Sequence, residues 1–110
     1  MADAIQVMTT TAARADAERI ARAVLEARLA ACVQIIGPLT SLYWWQGGIE
    51  QAEEWLCLIK TRADAFADLE RAVRSVHPYE VPEIIALPVA AGSAGYLAWL
   101  NGEVRLRAEK

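Results

Sequence analysis

The chain has 110 residues, 55% of them hydrophobic, and a formal net charge of -3 with no basic tract. That length fits one domain, residues 1–110, with a core that needs no disulfide or metal staple, and the acidic balance argues against nucleic acid as a partner. No apolar run reaches membrane-spanning length, and Met1-Ala2-Asp3-Ala4-Ile5-Gln6 lacks the basic and apolar regions of an export signal, so a cytoplasmic protein with no membrane partner is expected.

Ala4 to Thr10 reads as a strand, with Ile5, Val7 and Thr9 alternating against Gln6 and Met8. Thr11 is placed to cap a helix running to about Arg28. Ala13, Ala17, Ile20, Val24 and Ala27 form its apolar stripe, and Glu18, Arg22 and Glu26 line the other side. A second strand begins at Ala31-Cys32-Val33, is interrupted by Gly37-Pro38 and resumes from Leu39 to Gln46. Gly47-Gly48 suits a type I′ turn, and Ile49 to Lys60 returns as the partner strand. Thr61-Arg62-Ala63-Asp64 has the form of a capping box. The helix after it buries Phe66, Leu69, Val73 and Val76 and must stop at Pro78. Glu83 to Val89 is the fourth strand, and Ser93 caps a last helix through Tyr96, Leu97 and Leu100.

This order, βαββαβ plus a C-terminal helix, is that of an α+β ferredoxin-like fold. Right-handed crossovers then place both long helices on one face of an antiparallel sheet. The central hairpin is too long for such a domain. Ile49 to Lys60 alone spans roughly 40 Å, against a diameter of about 34 Å for a compact chain of this length. Its overhanging tip carries Leu42, Tyr43, Trp44, Trp45 and Ile49. Cover by another copy is expected, in preference to a ribbon that curls back over its own sheet.

A turn at Gly47-Gly48 without a bulge sets Trp45 opposite Glu50, Tyr43 opposite Ala52 and Cys57 opposite Pro38. Tyr43, Trp45, Glu50, Glu54 and Lys60 then share one face. Cys32 and Cys57 lie about 20 Å apart along the strands. That excludes a disulfide or a shared metal ion, and reduced thiols are expected.

The densest chemistry is in His77-Pro78-Tyr79-Glu80-Val81-Pro82-Glu83, which holds the only histidine in a proline-stiffened connector. His77 has two readings. It is a metal ligand assisted by oxygens of Tyr79, Glu80 and Glu83, or it is helix punctuation in a last turn. Lys60 likewise pairs with Glu80 or Glu83, or snorkels from a strand end into solvent. No GxSxG elbow, no glycine-rich phosphate loop and no aromatic RNA-binding signature is present.

Leu29-Ala30-Ala31-Cys32, Ser41-Leu42-Tyr43 with Trp45 and Gly47, Ile59-Lys60-Thr61, the stretch from His77 to Ile84, and Tyr96-Leu97 with Trp99-Leu100 occur in order over nearly the whole chain. In these blocks the sequence resembles the CutA family of divalent-cation tolerance proteins. The resemblance implies a tight homotrimer of ferredoxin-like subunits, similar in architecture to the PII signalling trimers. It implies tolerance of copper and other divalent metal ions, with no enzyme activity firmly attached. Any ligand is then expected between subunits, a metal ion at His77, Glu80 and Glu83, with Tyr43, Trp45, Lys60 and Tyr79 as walls. Some family members carry a cysteine near the end of the first strand and a His-His pair before the proline. Thr9 and Val76-His77 stand at those places here. Threonine and valine cannot replace a thiolate and an imidazole toward copper. Two function classes remain: a binding or signalling trimer, and a small trimeric enzyme using His77, Tyr79, Glu80 and Lys60.

Overall fold

The computed structural model describes residues 2–106. The alternating residues of β1 (Ala4–Thr11) put Ile5, Val7, Thr9 and Thr11 on a buried face. α1 (Arg14–Glu26) buries Ala17, Ile20, Ala21 and Val24. β2 (Cys32–Trp45) and β3 (Gly48–Arg62) form the long hairpin. A 3-10 turn, Ala63–Ala65, leads into α2 (Phe66–Val76), which buries Leu69 and Val73. β4 (Ile85–Pro88) and α3 (Ala94–Glu103) complete the order.

The sheet runs β2-β3-β1-β4 with every neighbouring pair antiparallel. This is the expected ferredoxin-like arrangement. α1 and α2 pack on each other and on the face carrying Val7, Cys57 and Ile59, where Ile20, Val24, Leu69 and Val73 close the core. On β4, Ile85 pairs with Met8 and Leu87 with Gln6. Both β4 side chains, and Ile36 on β2, stay about half exposed.

Local chemistry moved several element ends. Thr11 does not cap α1. It is fully buried in β1, its hydroxyl donates to the Ala13 carbonyl at 2.8 Å, and Ala13 takes the cap position. α1 ends at Glu26 rather than Arg28, because Arg28 adopts φ 61° and closes the helix. The capping box also fails. Thr61 donates to the Leu29 carbonyl at 2.7 Å, and Asp64 is held by Arg62. β4 starts at Ile85 rather than Glu83, since Ile84 turns into the core.

The hairpin turn centres on Gln46-Gly47, not Gly47-Gly48. Both residues have positive φ, 49° and 81°, as a type I′ turn requires. Tyr43 therefore faces Glu50, and Trp45 faces Gly48. The slip is even, so the shared face of Tyr43, Trp45, Glu50 and Glu54 survives it. Between Ile36 and Leu39 one extra residue enters β2 as a bulge. There the Trp55 ring lies over Gly37, where an added Cβ would meet it at 2.5 Å. The bulge sets Cys57 opposite Ile35 and Cys32 opposite Lys60. The thiols are thus three residues apart on opposite faces, not six apart on one strand direction, and both are free.

The ribbon gives the chain extents of 44 × 27 × 22 Å. Its tip is bare: Trp44 is 74% exposed, and Leu42 and Ile49 each 65%.

Candidate functional site: a cleft between ribbon and connector

α2 ends where Pro78 removes the next amide donor. His77, at the end of the helix, donates its N–H to the Val73 carbonyl at 2.9 Å. Its ring is buried and used on both sides. Nδ1 accepts the Tyr79 N–H at 3.1 Å, which leaves the proton on Nε2 to donate to the Thr10 carbonyl at 2.9 Å. The Tyr79 ring lies 4.8 Å from the imidazole. The Tyr79 hydroxyl then donates to Glu54 Oε2 at 2.7 Å. The connector is therefore pinned twice, to the end of β1 and to β3.

Burial pushes the Tyr79 phenol well above the ordinary tyrosine range, and the hydrogen bond and charge of Glu54 push it the same way. Glu54 itself is only 7% exposed and forms no ion pair among the described residues.

Between ribbon and connector lies a cleft of about 760 Å³. Ser41, Tyr43, Trp44 and Trp45 line its ribbon side, Thr10 and Glu54 its root, and Tyr79, Glu80 and Glu83 the connector side. Among the described residues no lysine or arginine lines it. The structure thus brings together Tyr43, Trp45, Tyr79, Glu80 and Glu83 from the sequence-based set. His77 sits behind Tyr79 and acts on the cleft through that residue. Lys60 lies elsewhere: it is six residues along β3 from Glu54, about 20 Å, and donates to Gln34. A single chain does not assemble His77, Tyr79, Glu80 and Lys60 around one substrate.

Glu54 is the cleft residue that sequence reasoning did not single out. Its face was legible from the hairpin, but its burial and its bond to Tyr79 depend on where the connector folds.

Among the described residues no group of three or more histidine, cysteine or acidic side chains is placed to hold a metal ion. Cys57 is buried in the core, donates to the Ala17 carbonyl and is pushed up to about 11 by burial. Thr9 is fully buried on the helix-facing side of β1, and Val76 packs against the core. A soft metal centre of the copper type does not fit this donor set.

The sequence model of the "CutA1 divalent ion tolerance protein" family matches residues 5–103. A Thermus thermophilus protein named divalent-cation tolerance protein CutA is 49% identical over 95 residues, covering 86% of this chain and 92% of that protein. Human "Protein CutA" is 55% identical over 85 residues, 77% of this chain, which spans about half (48%) of its length. The solved structure of the Thermus protein superposes with a TM-score of 0.90 at 45% identity, covering 93% of this chain and 99% of that one. That of CutA1 from Oryza sativa gives 0.91 at 38% identity, covering 94% and 95%.

Proposed function

The chain belongs to the CutA1 family of divalent ion tolerance proteins, and from that premise we propose that it works as a homotrimeric binding protein with a ligand cleft near each ribbon. The observation that carries the reading is the ribbon itself. Its tip exposes Trp44, Trp45, Leu42 and Ile49, and the sheet exposes Ile36, Ile85 and Leu87. Apolar surface of that extent on a soluble chain marks an interface, and a second copy of the same chain is the partner always at hand. The number three comes from the family resemblance.

The cleft supplies oxygen donors from Glu80 and Glu83, with Glu54 at its root. Oxygen donors suit hard divalent ions and hold them loosely when few are assembled. His77 serves as the positioning residue of the connector, because both its ring nitrogens are engaged. Calorimetric titration of the purified oligomer with magnesium, manganese and copper salts tests this. Weak, saturable binding that is lost in Glu80→Gln/Glu83→Gln supports the site. Tight copper binding indifferent to those changes would move it to the thiols.

A further inference from the structure

α3 is apolar on every side. From Ala94 to Leu100 it carries no charged residue, and a helix of that kind is ordinarily enclosed. Here Leu100 alone is buried, while Tyr96 and Trp99 stand 43% and 45% exposed with their rings 5.5 Å apart. The helix is fixed at one end of the sheet. Arg62 donates to the carbonyls of Asn101 and Val104, and the Asn101 side chain donates to the Ala2 carbonyl. The Tyr96 hydroxyl lies beside the Cys32 thiol. Cys32 begins a row, Cys32-Lys60-Gln6-Leu87, that crosses all four strands. The row is on the face turned away from α1 and α2, since Ile59 and Val7, the next residues along β3 and β1, point into the core. The aromatic pair of α3 thus continues the sheet surface that leaves Ile36, Ile85 and Leu87 half exposed.

The chain therefore carries two bare apolar surfaces, one at each end of β3. From Gly48 at the ribbon tip to Lys60 is roughly 40 Å along the strand. A ring of three is cyclic, and each of its interfaces joins one patch to a different patch on the next copy. Two unlike surfaces far apart on one chain meet that requirement. Their charges also match. Lys60 is the one charge in its row, donates to Gln34, and has no carboxylate partner among the described residues. On the ribbon, the register sets Leu42, Trp44 and Ile49 on one face with Glu53. Glu53 has no ion pair among the described residues either. An apolar cover alone would leave the Lys60 ammonium unanswered, at a cost.

We infer that in the assembly the ribbon of one copy lies on the sheet face and α3 of the next, with Leu42, Trp44 and Ile49 against Tyr96 and Trp99 and with Glu53 beside Lys60. The inference rests on the trimer proposed above and assigns the surfaces that meet in it.

Photo-crosslinking tests this. p-Benzoylphenylalanine replaces Trp44 in the full chain, the native assembly is irradiated, and the linked residues are located by tandem mass spectrometry. Links to α3 or to the Cys32 end of β2 of another copy are expected. Charge variants give an independent reading by sedimentation. Lys60→Glu and Glu53→Lys should each weaken association about tenfold, and the two together should recover most of it. Links into another copy's ribbon would mean that like pairs with like, as in a two-fold dimer, and would overturn both the inference and the ring. A chain that stays monomeric and unlinked would overturn both as well. Links to α1, α2 or the connector of another copy within an intact ring of three would overturn the inference and leave the ring standing. A double charge variant no better than the single ones would do the same.

Discussion

The hydroxyl of Tyr79 donates to the carboxylate of Glu54 at 2.7 Å, 25 residues back along the chain. Through this bond the connector that follows α2 is fastened to the root of the ribbon. The cleft exists because these two residues meet. Everything on its connector side is placed by that bond and by the His77 ring behind it.

Tyr79→Phe should leave the buried Glu54 carboxylate without its phenol. A hydrogen bond to a charged group is worth about 1.5–3 kcal/mol, and a loss of that order is expected in urea unfolding at fixed protein concentration. The pH dependence gives a second reading. The folded-state phenol titrates above the unfolded one, chiefly through burial. Its contribution is fully present below the ordinary tyrosine pKa of about 10. It is lost as pH rises through that value toward the raised one. Tyr79→Phe should flatten this alkaline limb of the stability curve.

His77→Ala should cost about 2 kcal/mol, because it removes the bonds to the Thr10 carbonyl and the Tyr79 amide together. Amide exchange at Tyr79 should accelerate by more than global destabilisation explains. A ligand role alone would leave that exchange rate unchanged.

Arg62 is 7% exposed, grips Asp64 through two nitrogens and donates to the carbonyls of Asn101 and Val104 at the end of α3. The hydrogen bond from Arg62 holds the Asp64 carboxyl below its usual range, with the guanidinium charge adding to it. The stability this contributes is present above the ordinary aspartate pKa of about 3.9. It is lost as pH falls through the depressed value. Asp64→Asn should remove this acid dependence from the melting curve. Arg62→Met should in addition loosen α3, read as faster amide exchange around Leu100.

Gly37→Ala should destabilise by about 1–3 kcal/mol, the usual cost of overpacking, since the new methyl would meet the Trp55 ring at 2.5 Å. Trp55 is held on its other contacts by the core and by Arg14, whose guanidinium lies 5.2 Å from the ring centre. Thermal unfolding measures the loss. A companion Trp55→Leu change should recover part of it.

The element order, the sheet and the overlong hairpin were legible because period and punctuation are local. Hairpin parity and two prolines also explain why Tyr43, Trp45, Tyr79, Glu80 and Glu83 come to line one cleft. The turn was misplaced by one residue because Gln46 takes a left-handed conformation that glycine usually claims. The capping expectations for Thr11 and Thr61 failed for a tertiary reason: both hydroxyls are drawn to carbonyls inside the fold. His77 and Lys60 each carried two readings in the sequence. In the structure the His77 ring bonds Thr10 and Tyr79, and Lys60 bonds Gln34, contacts that neither pair of readings contained and no spacing rule could name, since Thr10 and Gln34 are remote in the chain.

The central claim is that copies of this chain cover the ribbon. Sedimentation equilibrium across nanomolar to micromolar concentration tests it most directly. A single species with the mass of three chains is predicted, and Trp45→Glu should shift it toward monomer by placing an unpaired charge in the contact. A stable, folded monomer at micromolar concentration, with the bare tryptophans of the ribbon still in water, would contradict the account.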